Sequence, residues 1–328
     1  MILACDVGGT STRVALFEPV ADRAVMVDSE TVRSADYQTL AAIVEEFRSR
    51  HPQAVSAACF GVAGPVKDGQ CITTNLPWRV EVKQLQAVLG ASQVTLINDL
   101  VANAWGIDWL TPDDVISLHP GLTDETGNRA VISPGTGLGE AGMICVDSRY
   151  RPFASEGGHS EFGPRSDTQF DLARYLERRF GRVSYENVLS GPGLVNIYTF
   201  LRNSARAEEP EWFAEELKRT DQAARISEAA LKSELPICVD TMRIFLEIFG
   251  AEAGNLALKL MATGGVWLGG GIVPKIMPLI VSTPYFMEGF TAKGKLSHIV
   301  EKIPIMAIRN QHTALLGSAR YATRQGQP

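Results

Sequence analysis

Short apolar runs alternate along the chain with segments of helical periodicity, and several of the runs end in glycine-rich turns. Residues 2–6, 14–18 and 94–97 are apolar runs of strand length, whereas residues 239–262 form a long, largely apolar helical segment. Strand-length runs interleaved with helices are typical of α/β proteins. The pattern predicts an α/β fold. Because 328 residues are too many for one ordinary core, it also predicts two lobes.

The apolar run 94–97 leads through Asn98 and Asp99 into an apolar helix. Open α/β sheets place ligands where the carboxyl end of a strand opens into a helix. An Asp at this point can accept a proton from a substrate hydroxyl, and the neighbouring amide can donate and accept hydrogen bonds. The alternative is that Asn98 or Asp99 only caps the helix, which is the commoner use of these residue types.

A glycine turn joins the first two predicted strands and contains Val7, Gly8, Gly9 and Thr10. A tight Gly-Gly turn exposes backbone N–H groups that an anion can approach closely. Asp6, at the end of the first strand, could hold Mg²⁺ through a water molecule. The alternative is an ordinary hairpin turn in which glycine supplies a positive φ.

A second glycine turn, at residues 133–139, repeats the arrangement of strand, Gly/Thr turn and strand. Its central residues are Gly135, Thr136 and Gly137. Two such turns, one in each lobe and facing each other across a cleft, would grip a polyphosphate. The duplication is more specific than either turn alone.

Two other glycine motifs are misleading. Residues 137–142 fit G-x-G-x-x-G, but a dinucleotide site needs a helix after the glycines, and residues 143–146 are predicted to be a strand. Residues 289–296 resemble a phosphate-binding P-loop, but Leu296 replaces the hydroxyl residue that binds magnesium, and no strand precedes Gly289.

Polar side chains that suit a sugar occur in three places. Glu156 and His159 lie in a glycine-rich turn, and Glu186 follows in a segment that reads as the first turn of a helix. Carboxylates accept hydrogen bonds from sugar hydroxyls. Asn75 and Trp78 could also contact a polyhydroxylated ligand. The alternatives are a structural hydrogen bond within the turn, a solvated helix residue at Glu186, and a tryptophan that only packs.

Composition narrows the function classes. The net charge of −6 comes without a clustered basic patch, so we expect no nucleic-acid partner. The five scattered cysteines, none of them in a C-x-x-C pair, predict reduced thiols in a cytoplasmic protein without structural zinc. We expect no signal peptide and no membrane span, because no apolar run is long enough to cross a bilayer.

These motifs, taken together and in this order, resemble those of the bacterial glucokinase family, whose fold is the two-lobed actin-like ATPase (ribonuclease H-like) fold with a central cleft. The resemblance covers nearly the whole chain. It is carried by DVGGTSTRVALF, FGVAGPV, TNLPW, INDLVANAWG, PGTGLGEAG, SEGGHSEFGP, ENVLSGPGLVNIY, GNLALKL, TGGVWLGGGIVPK and HTALLGSARY.

The resemblance implies an activity and a set of site residues. The activity is ATP-dependent phosphorylation of glucose to glucose 6-phosphate, with Mg²⁺ as cofactor and a homodimer as the family's usual assembly. The catalytic base matches Asp99. The remaining matches are sugar ligands at Asn98, Asp99, Glu156, His159 and Glu186, and nucleotide contacts at Asp6, Val7, Gly8, Gly9, Thr10, Gly135, Thr136, Gly137, Gly270 and Gly271.

The predicted lobes are residues 1–110, joined by a C-terminal helix at about 312–328, and residues 111–311. Three alternatives remain open at this point. The chain could be a kinase for mannose, fructose or an N-acetylhexosamine. It could be a non-catalytic sugar-sensing protein on the same fold, or a filament-forming or chaperone ATPase, which would not need the Glu156, His159 and Glu186 set.

Overall fold

A computed structural model of the chain describes residues 1–21, 23–73 and 76–325. The chain folds into two compact units. The first unit comprises residues 1–115 and 151–154 together with the chain from residue 310 onward, and the second comprises residues 116–150 and 155–309. None of the described helices combines the length and the apolar content that a bilayer crossing requires.

The first unit is built on a five-stranded sheet. Its elements up to residue 106 are β1 (Ile2–Val7), β2 (Ser11–Val20), β3 (Arg23–Arg33), α1 (Leu40–Arg50), β4 (Ala57–Val62), β5 (Val66–Lys67), β6 (Gln70–Ile72), β7 (Arg79–Glu81), α2 (Val82–Leu89), β8 (Gln93–Asn98) and α3 (Asp99–Gly106). The sheet order is β3-β2-β1-β4-β8, with β1, β2 and β3 antiparallel and with β4 and β8 parallel to β1. Strands β5, β6 and β7 form a separate small sheet.

Alternate residues of β1 face opposite sides of this sheet, as strand geometry requires. Leu3 and Cys5 pack into the core formed with α1 and α2, whereas Ile2 and Ala4 pack into the core on the other face. Every one of these four side chains is buried, which explains why β1 reads as a continuous apolar run.

The second unit contains a six-stranded sheet and most of the helices. Its elements are β9 (Val115–His119), β10 (Arg129–Pro134), β11 (Leu138–Val146), β12 (Arg149–Ser155), α4 (Asp167–Phe180), α5 (Gly191–Asn203), α6 (Glu211–Leu217), α7 (Gln222–Leu231), α8 (Pro236–Leu260), β13 (Gly265–Leu268), α9 (Val273–Ser282), α10 (Tyr285–Thr291), α11 (Ser297–Val300) and β14 (Ile305–Ile308). Strand β12 pairs in this sheet, although its residues 151–154 group with the first unit.

The second sheet repeats the topology of the first. Its order is β12-β11-β10-β13-β14-β9, with β10 antiparallel to β11 and parallel to β13. Both units therefore have an antiparallel hairpin with a glycine turn, β1–β2 in the first and β10–β11 in the second. In each hairpin the first strand also pairs in parallel with a third strand, β4 or β13. Helix α12 (Thr313–Gln325) returns to the first unit and packs against β1, β4 and α3.

The structure confirms the secondary-structure predictions that excluded a dinucleotide-binding site at residues 137–142 and a P-loop at residues 289–296. Residues 143–146 belong to β11, so the G-x-G-x-x-G stretch opens a strand and not a helix. Gly289 lies inside α10, and Gly294–Leu296 is a 3-10 turn, so no strand precedes the P-loop-like stretch. Neither stretch has the context that nucleotide binding by those motifs requires.

Candidate active site

The first glycine turn is closed by contacts from its own hairpin and from the chain that follows β3. The Gly8 amide donates to the Ser11 carbonyl at 3.0 Å. The Ser34 hydroxyl donates to the Gly8 carbonyl at 2.9 Å and pairs with the buried Thr12 hydroxyl at 3.0 Å. Thr10 is exposed at the tip of the turn. Ser34 thus braces the turn from a distant position in the sequence.

The carboxylate of Asp6 points across the hairpin at a cation. Asp6 and Arg13 are partners in the β1–β2 register, and Arg13 Nη1 donates to Asp6 Oδ2 at 2.9 Å. Burial raises the pKa of Asp6, and the charge and hydrogen bond of Arg13 oppose that shift. The Asp6 carboxylate is therefore held in place at the root of the turn.

Asn98 and Asp99 lie where β8 ends and α3 begins, and both are half-buried. The Asn98 side-chain oxygen accepts from the amides of Leu100 and Val101 at 3.0 and 3.3 Å, so Asn98 caps the helix. Its amide group donates to the Gly64 carbonyl at 3.4 Å. Asp99 is the first residue of the helix, where the N–H groups at the helix start favour a negative charge.

The second glycine turn is closed on itself and tied to α5. The Gly135 amide donates to the Gly137 carbonyl at 2.8 Å, and the Gly191 amide donates to the Gly135 carbonyl at 2.8 Å. Gly191 is the first residue of α5, so the start of that helix is bonded to the turn. This contact brings α5 to the edge of the turn.

The glycines of the two phosphate-binding candidate turns are not needed there for a positive φ. Gly8, Gly9, Gly135 and Gly137 all lack positive φ, so the ordinary-hairpin explanation, with glycine supplying that angle, is wrong. At Gly137 an added Cβ would lie 2.4 Å from Glu186 Oε2, so the Glu186 carboxylate would have to move to accommodate a side chain there. Gly270 does have a φ of +82°, and its Cβ would lie 2.4 Å from the Pro134 carbonyl oxygen.

Glu186 lies in a single 3-10 turn, Tyr185–Asn187, rather than in an α-helix. Its Oε2 accepts from the Leu138 amide at 2.9 Å, directly after the second glycine turn. Sequence alone gave no sign of this contact, because residues 138 and 186 are far apart in the chain. The structure therefore places one predicted sugar ligand against a predicted phosphate loop.

Glu156 and His159 are exposed on a turn whose 3-10 segment is Gly157–His159. The turn is linked by backbone bonds to the segment that carries Glu186, since the Tyr185 amide donates to the Ser160 carbonyl at 3.0 Å. The Phe162 amide likewise donates to the carbonyl of Val183 at 2.9 Å. The structure therefore brings Glu156, His159 and Glu186 into one region of the second unit.

A cavity of about 480 Å³ opens beside the second glycine turn. Gly135, Thr136 and Gly271 contribute to its wall, so the structure brings together three of the predicted nucleotide contacts. Neither Gly135 nor Gly271 has an atom within 4 Å of an added Cβ position, so both present open backbone to the cavity. The rest of the lining includes Gly191, Pro192, Val195, Asp221, Gln222, Ser227, Ile272 and Lys275.

Two predicted sugar contacts fare differently. Trp78 is buried in the core of the first unit, and its Nε1 donates to the Tyr37 carbonyl at 3.3 Å. The alternative that this tryptophan only packs is therefore the one that the structure supports. Asn75 lies outside the described residues.

The predicted site residues are distributed over both units. Asp6, Val7, Gly8, Gly9, Thr10, Asn98 and Asp99 belong to the first, and Gly135, Thr136, Gly137, Glu156, His159, Glu186, Gly270 and Gly271 belong to the second.

A model of the glucokinase family matches residues 3–325. The chain belongs to the glucokinase family. A glucokinase from Synechocystis sp. is 39% identical to it, over 97% of this chain and 96% of the relative. The resemblance that the motifs indicated is thus confirmed over nearly the full length.

Solved structures agree on the fold. The crystal structure of a glucokinase from an Antarctic psychrotroph is 31% identical, with a TM-score of 0.83 over 98% of both chains. A ROK family glucokinase from Streptomyces griseus, solved in complex with glucose and AMPPNP, has a TM-score of 0.68 at 21% identity over 99% of both chains. This member of the glucokinase family has the α/β actin-like ATPase fold.

Proposed function

We propose that the chain phosphorylates glucose to glucose 6-phosphate with ATP as donor, and that the residues described above form its active site. The observation that carries the site assignment is the 2.9 Å bond from the Leu138 amide to Glu186, because it joins a sugar ligand to the strand that leaves the phosphate loop. Membership of the glucokinase family supports the activity itself.

Asp99 is the general base. Its carboxylate orients the 6-hydroxyl of glucose and accepts its proton as the oxygen attacks the γ-phosphoryl group in line. In such reactions little covalent chemistry falls to the protein, so position and charge determine the rate. The rigid junction of β8 and α3, fixed by the Asn98 cap, supports this role.

Asn98, Asp99, Glu156, His159 and Glu186 bind the sugar. Carboxylates and an imidazole can accept hydrogen bonds from several hydroxyls at once. A sugar that lacks one hydroxyl would leave a polar group of the site unpaired, which is how such sites discriminate. The exposure of Glu156 and His159 leaves both side chains accessible to a ligand.

The cavity beside the second glycine turn receives the nucleoside part of ATP. Backbone amides of Thr136 and Gly137 in the second unit, with those of Gly9 and Thr10 in the first, bind the phosphates, whereas the amides of Gly8 and Gly135 close the two turns. Gly270 and Gly271 leave room for the nucleotide. The complex of the S. griseus enzyme with AMPPNP supports an adenine nucleotide as donor.

The residues around Asp6 fit a magnesium ion bound through water. Arg13 takes Asp6 Oδ2, which leaves Oδ1 to accept from a coordinated water molecule. The described residues contain no group of three or more His, Cys, Asp or Glu side chains suited to a metal, and Mg²⁺ is commonly held by few carboxylates together with substrate phosphates. When bound, the ion offsets negative charge on the phosphate oxygens.

The lobes, the assembly and the location remain predictions. The two compact units support a division into residues 1–110 with 312–328 and residues 111–311, although residues 151–154 group with the first unit. The homodimer can be checked by sedimentation at several protein concentrations. Five free cysteines, four of them buried, support a cytoplasmic location.

A coupled ADP-release assay with glucose, mannose, fructose and N-acetylglucosamine tests the proposed activity. We expect the highest kcat/KM with glucose. A higher kcat/KM with another hexose would assign the enzyme to that sugar. Sugar binding without ADP release would indicate a sensor, and ADP release that needs no sugar would indicate an ATPase of another kind.

A further inference from the structure

Glu140 places a carboxyl group directly beneath the turn that carries Glu156 and His159. It lies on β11 with only 1% of its surface exposed. A Cβ on Gly157 would lie 2.0 Å from Glu140 Oε2, so the two residues are packed as closely as glycine permits. A Cβ on Gly158 would lie 2.1 Å from the Leu138 carbonyl oxygen. The turn therefore rests on Leu138 and Glu140.

The Glu140 carboxyl has an unusual environment for a buried acid. Its Oε1 has no hydrogen-bond partner among the described residues. A buried polar atom without a partner is destabilising, so an apolar residue would suit this strand position better if packing were the only requirement. A residue that breaks a local rule in this way is expected at a functional site.

A polar cluster on α8 lies behind Glu140. Glu252 is fully buried, and its carboxylate accepts from Asn255 Nδ2 at 2.9 Å and from Lys259 Nζ at 3.2 Å. Lys293 Nζ donates to Asn255 Oδ1 at 2.6 Å. Asn255 Nδ2 also donates to the hydroxyl of Tyr185, the neighbour of Glu186, at 3.2 Å. The cluster thus reaches the segment that carries Glu186 through Tyr185.

We propose that Glu140 is a positioning residue for the glucose site, whose buried carboxyl group packs against Gly157 and so fixes the turn that carries Glu156 and His159. The inference rests on the proposed function, in which those two side chains bind the sugar. Glu140 itself touches neither substrate. Its effect is on glucose affinity, because a misplaced Glu156 or His159 loses hydrogen bonds to the sugar, and each bond to a charged group contributes about 10- to 100-fold.

The charge state of Glu140 follows from its surroundings. Burial, reinforced by repulsion from Glu252, raises the pKa of Glu140 to about 8, and Lys259 opposes that shift. Burial lowers the pKa of Lys293 to about 8, with Arg165 adding to the effect. As the pH rises through 8, Glu140 therefore gains a negative charge while the cluster loses a positive one. The repulsion between Glu140 and Glu252 then displaces the turn, and glucose affinity falls.

Steady-state kinetics of Glu140→Ala and Glu140→Gln test the proposal, with Leu176→Ala as a control. Leu176 is fully buried in the same unit on α4, so its truncation lowers stability without touching the turn. We expect Glu140→Ala to raise the glucose KM by about 10- to 100-fold and to leave the ATP KM unchanged. Glu140→Gln keeps the shape without the charge. At neutral pH its glucose KM should equal that of wild type. Between pH 7 and pH 9 the glucose KM of wild type should rise, whereas that of Glu140→Gln should stay constant.

An unchanged glucose KM in Glu140→Ala, with a lowered melting temperature like that of Leu176→Ala, would overturn the positioning role. The role would also be overturned if the glucose KM of Glu140→Gln rose with pH as that of wild type does. This second measurement decides the question if Glu140→Ala does not fold.

The variant Glu156→Ala separates this inference from the proposed function on which it rests. If Glu156→Ala leaves the glucose KM unchanged, the sugar site itself is wrong. If only Glu156→Ala raises it, Glu140 alone is misassigned.

Discussion

The carboxyl groups of Asp6 and Glu140 show how residues of similar chemistry acquire different roles from their partners. Burial raises the pKa of both groups. Arg13 opposes part of that shift at Asp6 and favours the charged form, which suits the proposed role of Asp6 beside a magnesium-bound water molecule. Glu252 adds to the shift at Glu140 and favours the neutral form, which suits a support beneath a turn.

His51 gives a residue-scale prediction about pH and stability. Its ring stacks on Phe47 and bonds to the Phe47 carbonyl at 2.9 Å and to Asp28 at 2.8 Å. The backbone bond first, and then Asp28, raise the pKa of His51 above its ordinary value. A raised folded-state pKa contributes stability that is fully present below the unfolded pKa of about 6.5 and is lost as the pH rises through the folded value.

Melting temperatures of wild type and His51→Gln measured from pH 5 to pH 9 check this. The difference between the two proteins should be largest at the acidic end and should shrink as the pH rises. The residual difference at pH 9 reflects the lost ring stacking. A difference that is constant across the range, or that grows with pH, would contradict the assigned charge state of His51.

At the scale of elements, the hairpins and their glycine turns could be predicted from the sequence because the information is local. The strands that flank each turn are apolar runs, and the structure confirms them as β1 with β2 and β10 with β11. The conformation of the glycines was not predictable. Gly137 lies against the carboxylate of Glu186, a residue 49 positions away, and no local pattern records that contact.

The site residues show the same limit. Asp99 and Glu156 could be picked out because they stand beside a strand end or in a glycine-rich turn. Glu140 and Ser34 were missed, because each acts through a long-range contact. One signal was present at Glu140: a lone charged residue at the head of the apolar stretch 141–146, directly after a glycine turn. Because unpaired acids are rarely buried, this pattern singles out Glu140 as unusual but does not by itself predict its burial.

The packing of α8 against α10 gives an element-scale prediction. Gly250 lies inside α8, where replacement by alanine would ordinarily stabilise a helix by about 0.5–1 kcal/mol. Here a Cβ would lie 1.9 Å from the Phe286 carbonyl oxygen of the facing helix. Gly250→Ala should therefore lower the free energy of unfolding, by about 1–3 kcal/mol. Urea denaturation measures the change, and an increase in stability would show that the helices do not pack this closely.

At the scale of the whole molecule, the two units share one sheet arrangement and each has its own core. The apolar pattern and the chain length predicted an α/β protein with two lobes, and the motif order identified the family. The relation between β10 and β13, which are separated by some 130 residues, could not be read from the sequence. Parallel pairing at that separation depends on the packing of the intervening helices.

Ligand binding should stabilise the folded chain, because a ligand that binds only the native state adds RT ln(1 + [L]/Kd) to the free energy of unfolding. At glucose concentrations of about 100 times Kd this is about 2.7 kcal/mol. Thermal unfolding with and without glucose should show a raised transition in wild type and in the exposed-site control Glu177→Ala. Glu156→Ala should lose most of the shift at the same concentration. Equal shifts in all three proteins would place the sugar elsewhere.

The role of Asp99 is tested most directly by the kcat of Asp99→Asn with glucose and ATP. The matched control is Asp68→Asn, at an exposed loop position of the same unit. Removal of the general base while the side-chain shape is kept should lower kcat by a factor on the order of 10²–10⁴, and the control should stay near the wild-type value. A kcat for Asp99→Asn close to that of wild type would contradict the assignment of Asp99 as the base.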